Sequence, residues 1–385
     1  MKRVILRGPA LTMSGYGVHT RQIARWLISL PGVDLTIQAL PWGITPWTIG
    51  HEDDLTVEIM TRCKPITGKF DVSFQVQLPN EWDANLADFN VGITAGVETD
   101  RCNPAWSQNC QKMDHVIVPS KHTRDSFERN CVIENMSIIP EAFPDSMLQD
   151  QEGLTLDNVT TSFNFLLFGQ LTGNNPENDR KNIFHTIRVM CDVFKDNPDV
   201  GLIIKTNSGK STKIDRQITR NILRQAISQV KPGPGPKIYL LHGHMNDDDI
   251  ASLYTSKKIK ALVSLTRGEG FGLPILEAAA SGLPVIATNW SAYLDFMNLG
   301  KFISIDYSLV PIHETRQDNN IFMPGSMWAN FNESDFREKI LKFYKKSSIP
   351  QRWANELKVK IREGFCFESI ATQYSKKFEK VLNLT

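Results

Sequence analysis

The sequence predicts an α/β protein made of two Rossmann-like halves in tandem. Three observations carry this. The chain has 385 residues, enough for two domains that each bury a core. Short apolar runs alternate with amphipathic helical stretches, the pattern of βαβ units on a parallel sheet. That alternation stops between Phe143 and Ser162 (FPDSMLQDQEGLTLDNVTTS), where the chain turns polar and acidic without periodicity, and then resumes.

In the first half the apolar runs predict strands over Arg3–Arg7, Leu35–Leu40, Val72–Val76, Val91–Ala95, His115–Val118 and Ser137–Ile139. Between them, Val18–Leu30 and Lys121–Asn130 read as amphipathic helices, the second opening on Ser120 as its N-cap. The second half reads as strand Phe163–Phe168, helix Asn182–Phe194, strand Val200–Lys205, and a helix within Lys213–Val230 ended by the breaker KPGPGP. Strand Ile238–His242, helix Asp248–Lys257, strand Ala261–Leu265, helix Leu273–Ala280 and strand Pro284–Thr288 follow. From about Glu333 the chain is helical and mixed in charge, a solvated face.

Forty-three basic residues against 42 acidic ones give a net charge of +1, without the basic footprint of a dedicated nucleic-acid binder. No apolar run approaches the ~18 residues of a spanning helix, and the short run in MKRVILRGPALTM reads as a first strand, not a signal peptide. The six cysteines lack a CxxC pair and read as free thiols of a reducing compartment, which makes a cytoplasmic location, with peripheral membrane association open, the expectation.

One stretch carries chemistry: ALVSLTRGEGFGLPILEAAASGLPVIAT. It reads strand, Gly-rich turn, helix, Gly stop, strand. Pro274 suits the first helical position, Gly282 the stop, and Gly268–Gly272 allow close approach of a ligand to the backbone. The start of the helix makes an anion site at the C-terminal end of a strand, where open α/β sheets bind ligands. Glu269 and Glu277 beside an anion site would repel phosphate but suit vicinal sugar hydroxyls. A nucleotide diphosphate sugar, with phosphates between two hydroxyl-rich rings, fits that arrangement.

Glu, seven residues, Glu around GEGFGLPILEAAASGLPV resembles the signature of glycosyltransferase family 4, whose members have the GT-B fold and retain anomeric configuration. The resemblance implies two Rossmann-like domains facing each other across a cleft. It further implies that Glu277 holds the ribose, that Glu269 holds donor-sugar hydroxyls, and that the backbone of Gly270, Phe271, Gly272 and Leu273 meets the diphosphate. FGQLTGNNPENDRKNIFHTIRVM is similar to the first strand and loop of the family's donor domain, so Gly169 lies at the donor and Lys181 takes the place of a lysine that neutralises the diphosphate. Without a metal the leaving group's charge needs such fixed cations. Gln170 stands where the family usually has arginine; either Arg180 or Lys205 supplies the second charge, or catalysis is weaker than typical. Gly243 and His244 fall where the family holds the base, and Gly15 and Gly17 in the loop near the donor phosphates and acceptor.

Other stretches read more plainly. TNSGKST lacks the first glycine of a P-loop and is a surface turn. Asp247 and Asp249 in HMNDDDIASLY precede a helix and act as caps, not metal ligands. GITAGVETD lacks the histidine many relatives carry at that point, leaving Glu98 and Asp100; His115 and His122 read as structural. Trp42, Trp47 and Trp82 either stack on an acceptor or pack in the core.

These readings combine into an acceptor-side domain over 1–155 and a nucleotide-sugar domain over 160–360, and the resemblance implies that a helix over 367–382 packs back on the first. The expected reaction moves a hexose-like sugar from a UDP-, GDP- or ADP-linked donor to a hydroxyl acceptor, with retention, no cofactor and no metal. Two alternatives stand: a catalytically impaired nucleotide-sugar binder, or an enzyme acting on DNA or a membrane-associated acceptor, with Arg21 and Arg25 facing the anionic partner.

Overall fold

A computed structural model describes residues 1–48, 54–171, 175–230 and 235–384, and elements are counted among these. Residues 49–50 of the tryptophan-bearing loop, 172–174 after Gln170 and 231–234 of the KPGPGP breaker lie outside them.

The chain forms two compact units. The first comprises Met1–Ala142, Asn319–Met323 and Phe367–Thr385, the second Phe143–Asp318 and Pro324–Cys366. The boundary therefore falls at 142 and not near 155. The acidic stretch carries enough apolar side chains to belong to the second unit: Phe143, Met147, Leu156 and Val159 are buried in its core, and Leu154 N–H donates to Ser252 O at 2.7 Å. The second unit is also interrupted at 319–323, which the sequence did not announce.

In the first unit the order is β1 (Lys2–Gly8), α1 (Gly15–Ile28), β2 (Val33–Ala39), α2 (Asp54–Arg62), β3 (Phe70–Val76), β4 (Ala87–Ile93), α3 (Pro104–Cys110), β5 (His115–Val118), α4 (Lys121–Glu128) and β6 (Met136–Ile138). The six strands form one parallel sheet in the order β2-β1-β3-β4-β5-β6. Helices cover both faces, so β1 reads as a continuous apolar run with Val4, Ile5 and Leu6 fully buried. Ser120 caps α4 as its position implied, accepting from Thr123 N–H at 3.1 Å.

The second unit runs β7 (Phe163–Phe168), α5 (Ile183–Val193), β8 (Val200–Lys205), α6 (Lys213–Val230), β9 (Lys237–Leu241), α7 (Asp247–Tyr254), β10 (Ile259–Ser264), α8 (Leu273–Ala280), β11 (Val285–Thr288), α9 (Leu294–Met297) and β12 (Ile303–Ile305). A hairpin of β13 (Tyr307–Pro311) and β14 (Met327–Phe331), then α10 (Glu333–Lys345) and α11 (Ser348–Gly364), complete it. Its parallel sheet has the order β12-β11-β10-β7-β8-β9. Strand order thus reverses between β7 and β10, and the loops after these two strands share the point where such sheets bind ligands.

The last helix, α12 (Phe367–Leu382), belongs to the first unit. Ile370, Tyr374, Phe378 and Leu382 make one buried stripe at helical spacing, and the Tyr374 ring lies 5.1 Å from that of Trp26 in α1. Trp26 Nε1 donates to Ser375 Oγ at 2.9 Å.

Candidate functional site

The loops after β7 and β10 are laced together. Arg267 N–H donates to the Arg180 carbonyl at 2.9 Å, and Arg180 Nη1 donates to the Gly268 carbonyl at 2.8 Å. Asn182, in the left-handed region at φ 57°, precedes α5 and donates its side-chain N–H to Leu265 O at 3.0 Å. Asp179 accepts from the N–H groups of Ile183 and Phe184, covering the first turn of α5. This frame fixes Arg180 and Lys181 against the Gly-rich turn.

Glu269 lies at the centre. Lys181 Nζ donates to its Oε1 at 2.7 Å and its Oε2 at 2.9 Å, and Arg180 Nη1 to Oε2 at 3.2 Å. The residue is only 7% exposed. Burial would raise its pKa, but the charges of Lys181 and Arg180 more than reverse this and hold it at about 2. Its backbone is pinned from both sides: Glu269 N–H donates to Ser291 Oγ and that hydroxyl donates to Glu269 O, each at 2.8 Å.

Glu277, eight residues on, sits in a different field. It is partly exposed on α8, and Tyr254 Oη donates to its Oε2 at 3.1 Å. Burial raises its carboxyl pKa; the Tyr254 hydrogen bond opposes this, the Asp247 charge adds to it, and the result is about 8. Two carboxylates of one loop-helix unit therefore hold opposite protonation states at neutral pH. The turn between them requires glycine at 272, where φ is +100° and an added Cβ would approach Tyr293 Cβ to 3.2 Å. The helix spans Leu273–Ala280 as the sequence reads, with Pro274 at its second position and not its first.

The remaining second-unit residues fall around this centre unequally. Gly169 follows β7, and a Cβ there would meet the Lys181 stem at 3.3 Å, so the glycine leaves room for the lysine. Gln170 is exposed. Lys205, 8% exposed at the end of β8, donates its Nζ to the Gly243 carbonyl, and burial lowers its pKa. Of the two cations expected to replace an arginine at 170, Arg180 is the one beside Glu269. His244 is exposed, whereas His242 Nε2 pairs with Asp215 Oδ2 at 2.8 Å. Asn246 and Asp249 form a capping box at the start of α7. Among the described residues no group of three His, Cys, Asp or Glu side chains is placed to share a metal ion.

The first unit's candidates follow β1 (Gly15, Gly17), β2 (Trp42, Trp47) and β4 (Glu98, Asp100), while its strand order reverses between β1 and β3. Gly15 and Gly17 open α1, and Ser14 Oγ accepts from Gly17 N–H at 2.9 Å. Trp42 stacks on Tyr16, ring centroids 4.0 Å apart, and Tyr16 Oη hydrogen-bonds Thr94 Oγ1 at 2.8 Å, so Trp42 is a packing residue. Trp47 is exposed and bridges to Thr12. Glu98 is half-buried. Asp100 is not open to a ligand as expected: it is buried and accepts from Arg129 Nη1 at 2.9 Å. Arg21 and Arg25 are engaged within the first unit. Arg21 donates to the carbonyls of Ala10 and Thr12 at 2.9 and 2.8 Å, and Arg25 lies over the Phe367 ring at 3.8 Å.

Tyr254 and Ser291, which hold the two glutamates, gave no sequence signal. Each lies on a different segment, and only the fold brings them to the turn.

Residues 178–308 match the family model described as glycosyl transferases group 1. That span contains Arg180, Lys181, Glu269 and Glu277, with Tyr254 and Ser291. This is a glycosyltransferase domain. The fold of the whole chain agrees. HepE of Anabaena, solved in complex with UDP and glucose, is similar at TM-score 0.63 and 12% identity over 98% of this chain and 100% of that one. Sucrose-phosphate synthase of Thermosynechococcus elongatus is similar at 0.65 and 14% over 100% of both. A glycosyltransferase of Rickettsia africae ESF-5 is similar at 0.61 and 14%, over 100% of this chain and 99% of that chain. These likenesses show the GT-B fold, two Rossmann-like domains. No curated protein sequence matches the chain. Among the described residues no helix is long and apolar enough to cross a membrane.

Proposed function

We propose that the protein transfers a sugar from a nucleotide diphosphate sugar to a hydroxyl acceptor, with retention and without a metal, as a member of glycosyltransferase family 4. The observation that carries this reading is the juxtaposition of Lys181 and Arg180 with Glu269 at the switch point of the second sheet. The reaction breaks the bond between the anomeric carbon and a phosphate oxygen, leaves its electron pair on the diphosphate, and joins the acceptor oxygen to that carbon, the acceptor's hydroxyl proton passing to the departing phosphate oxygen. Lys181 and Arg180 are fixed cations for the charge gathering on the leaving group, the role a metal fills elsewhere. Glu277 receives the ribose hydroxyls, and the first turn of α8 with the backbone of Gly270–Leu273 faces the phosphates. Glu269 turns to the hydroxyls of the donor sugar.

The first unit takes the acceptor, with Gly15, Gly17, Glu98 and Trp47 nearest the ends of its strands. HepE, solved in complex with UDP and glucose and with UDP-glucose, favours a UDP-linked hexose as the first donor to try. The reading further places the enzyme in the cytoplasm.

Thermal unfolding with UDP, GDP, ADP, CMP and their sugars, with and without EDTA, tests it. A ligand at ~100 times its Kd adds about 2.7 kcal/mol of stability. One clear responder, indifferent to EDTA, supports the reading. A response abolished by EDTA sinks the metal-free step, and silence across the panel sinks the donor assignment.

A further inference from the structure

We infer that Glu269 is an internal stand-in for the donor's diphosphate: it and the diphosphate compete for Lys181 and Arg180, so sugar recognition opens only when the diphosphate is seated. This rests on the donor reading above and adds a residue role to it.

The argument is one of hydrogen-bond capacity. An ionised carboxylate offers roughly four acceptor positions. Lys181 uses both oxygens at 2.7 and 2.9 Å, and Arg180 uses Oε2 at 3.2 Å. Little capacity is left for sugar hydroxyls, and the carboxylate is buried. The same two cations are the ones a diphosphate needs. Glu269 therefore cannot hold the sugar while it holds Lys181 and Arg180, and the cations cannot serve the diphosphate at full strength while they hold Glu269. One exchange resolves both conflicts. The diphosphate, with more charge and more oxygens, takes the cations. The released carboxylate swings to the sugar face, repelled by the phosphate it has made room for.

The backbone around the carboxylate supports a side-chain exchange without loop movement. Ser291, itself at φ 97°, clamps the Glu269 N–H and carbonyl at 2.8 Å each, so only the side chain's own torsions need turn. Lys181 has similar freedom, its stem running over Gly169. Exchange also protects the resting site, since two unpaired cations there would bear the full cost of desolvation.

The test is the affinity of UDP, GDP, ADP and inorganic pyrophosphate for wild type and Glu269→Gln, by calorimetry. The amide keeps the shape but gives up the charge that competes. Glu269→Gln is expected to bind the responding nucleoside diphosphate and pyrophosphate at least tenfold tighter than wild type, about 1.4 kcal/mol, a gain that a damaged fold does not produce. It is also expected to lose the extra affinity that the attached sugar gives wild type. Unchanged or weaker diphosphate binding overturns the exchange while leaving the donor reading intact. Failure of every diphosphate to bind either protein overturns both. Should Glu269→Gln not fold, wild type alone decides: free hexoses followed by saturation-transfer NMR should bind only with pyrophosphate or the responding nucleotide present. Equal binding with and without it refutes the inference.

Discussion

Replacing Lys181 by methionine tests how the site is held together. Methionine keeps most of the apolar stem over Gly169 but removes the charge that makes two of the three closest contacts to Glu269. The gap between about 2 and the ordinary 4.5 for Glu269, at about 1.4 kcal/mol per pH unit, corresponds to about 3 kcal/mol of stability from the whole ion cluster. Both partners are mostly shielded from water, the side chains being 15% and 9% exposed, so screening takes little of this away. Lys181 is the larger of the two charges opposing burial, with Arg180 second. The sign follows from the depressed pKa: the contribution is complete above about pH 4.5 and is lost as the pH falls toward 2. In Lys181→Met the burial of Glu269 is opposed by Arg180 alone, so its carboxyl takes up a proton at higher pH than in wild type. Urea unfolding of both proteins between pH 7 and 4 should show a gap of up to about 3 kcal/mol at pH 7 that narrows below pH 5. A gap under about 0.5 kcal/mol, or one that does not move with pH, refutes the cluster's role in holding the site. Turnover of the same variant should fall by roughly a hundredfold or more, as for loss of one charge-stabilising donor.

Other positions make independent claims. Gly17→Ala would put a Cβ 2.1 Å from the Thr12 carbonyl oxygen, and the forced shift of α1 should cost about 2–3 kcal/mol by urea unfolding; a neutral result contradicts the packing described. Phe378→Ala opens a hole between α12 and the first-unit sheet, where its ring meets those of Phe74 and Tyr374, and should cost about 3–5 kcal/mol. Tyr254→Phe removes the donor to Glu277, which should raise the Glu277 pKa further and weaken nucleotide binding by roughly three- to tenfold with the fold intact.

The Gly-rich turn and its helix were legible because they rest on local rules: a positive-φ glycine at 272, a proline in the first turn, and a glycine stop at 282 with φ 77°. The alternating halves were legible for the same reason, since strands buried on both faces read as apolar runs. Lys181 and Glu269 lie 88 residues apart, and nothing in spacing pairs them. They meet because β7 and β10 are neighbours in a sheet whose order reverses there. The domain boundary was misjudged because polarity decided it: a stretch rich in Asp and Gln still anchors itself with Phe143, Met147, Leu156 and Val159. Asp100 and Arg21 looked available because sequence shows charge and not partners. The short helices α2 and α3 have too little periodicity to rise above their loops.

The opposite states of Glu269 and Glu277 lead to the sharpest pH test of the nucleotide site. With its pKa raised to about 8, Glu277 is mostly protonated at pH 7, while in the unfolded chain it ionises near 4.5. Stability contributed by this group therefore falls as the pH rises from about 4.5 to 8 and then levels off. Glu277→Gln does not titrate, so it should become more stable than wild type across that window. Full burial would make the gain nearly 5 kcal/mol, but the residue is partly exposed, and roughly 1–3 kcal/mol at pH 8 is the expected size. Binding should move the other way. Ribose hydroxyls donating to Glu277 favour its ionised form, so a nucleotide must first drive the proton off at pH 6. Wild-type affinity should then rise several-fold from pH 6 to 8, with a proton released on binding, while Glu277→Gln should bind weakly and without that slope. A wild-type affinity that is flat in pH and shared by the glutamine variant would remove Glu277 from the nucleotide's contacts. A gain in stability joined to a loss of binding would mean that the strain of a buried carboxyl is kept at this position for its ligand.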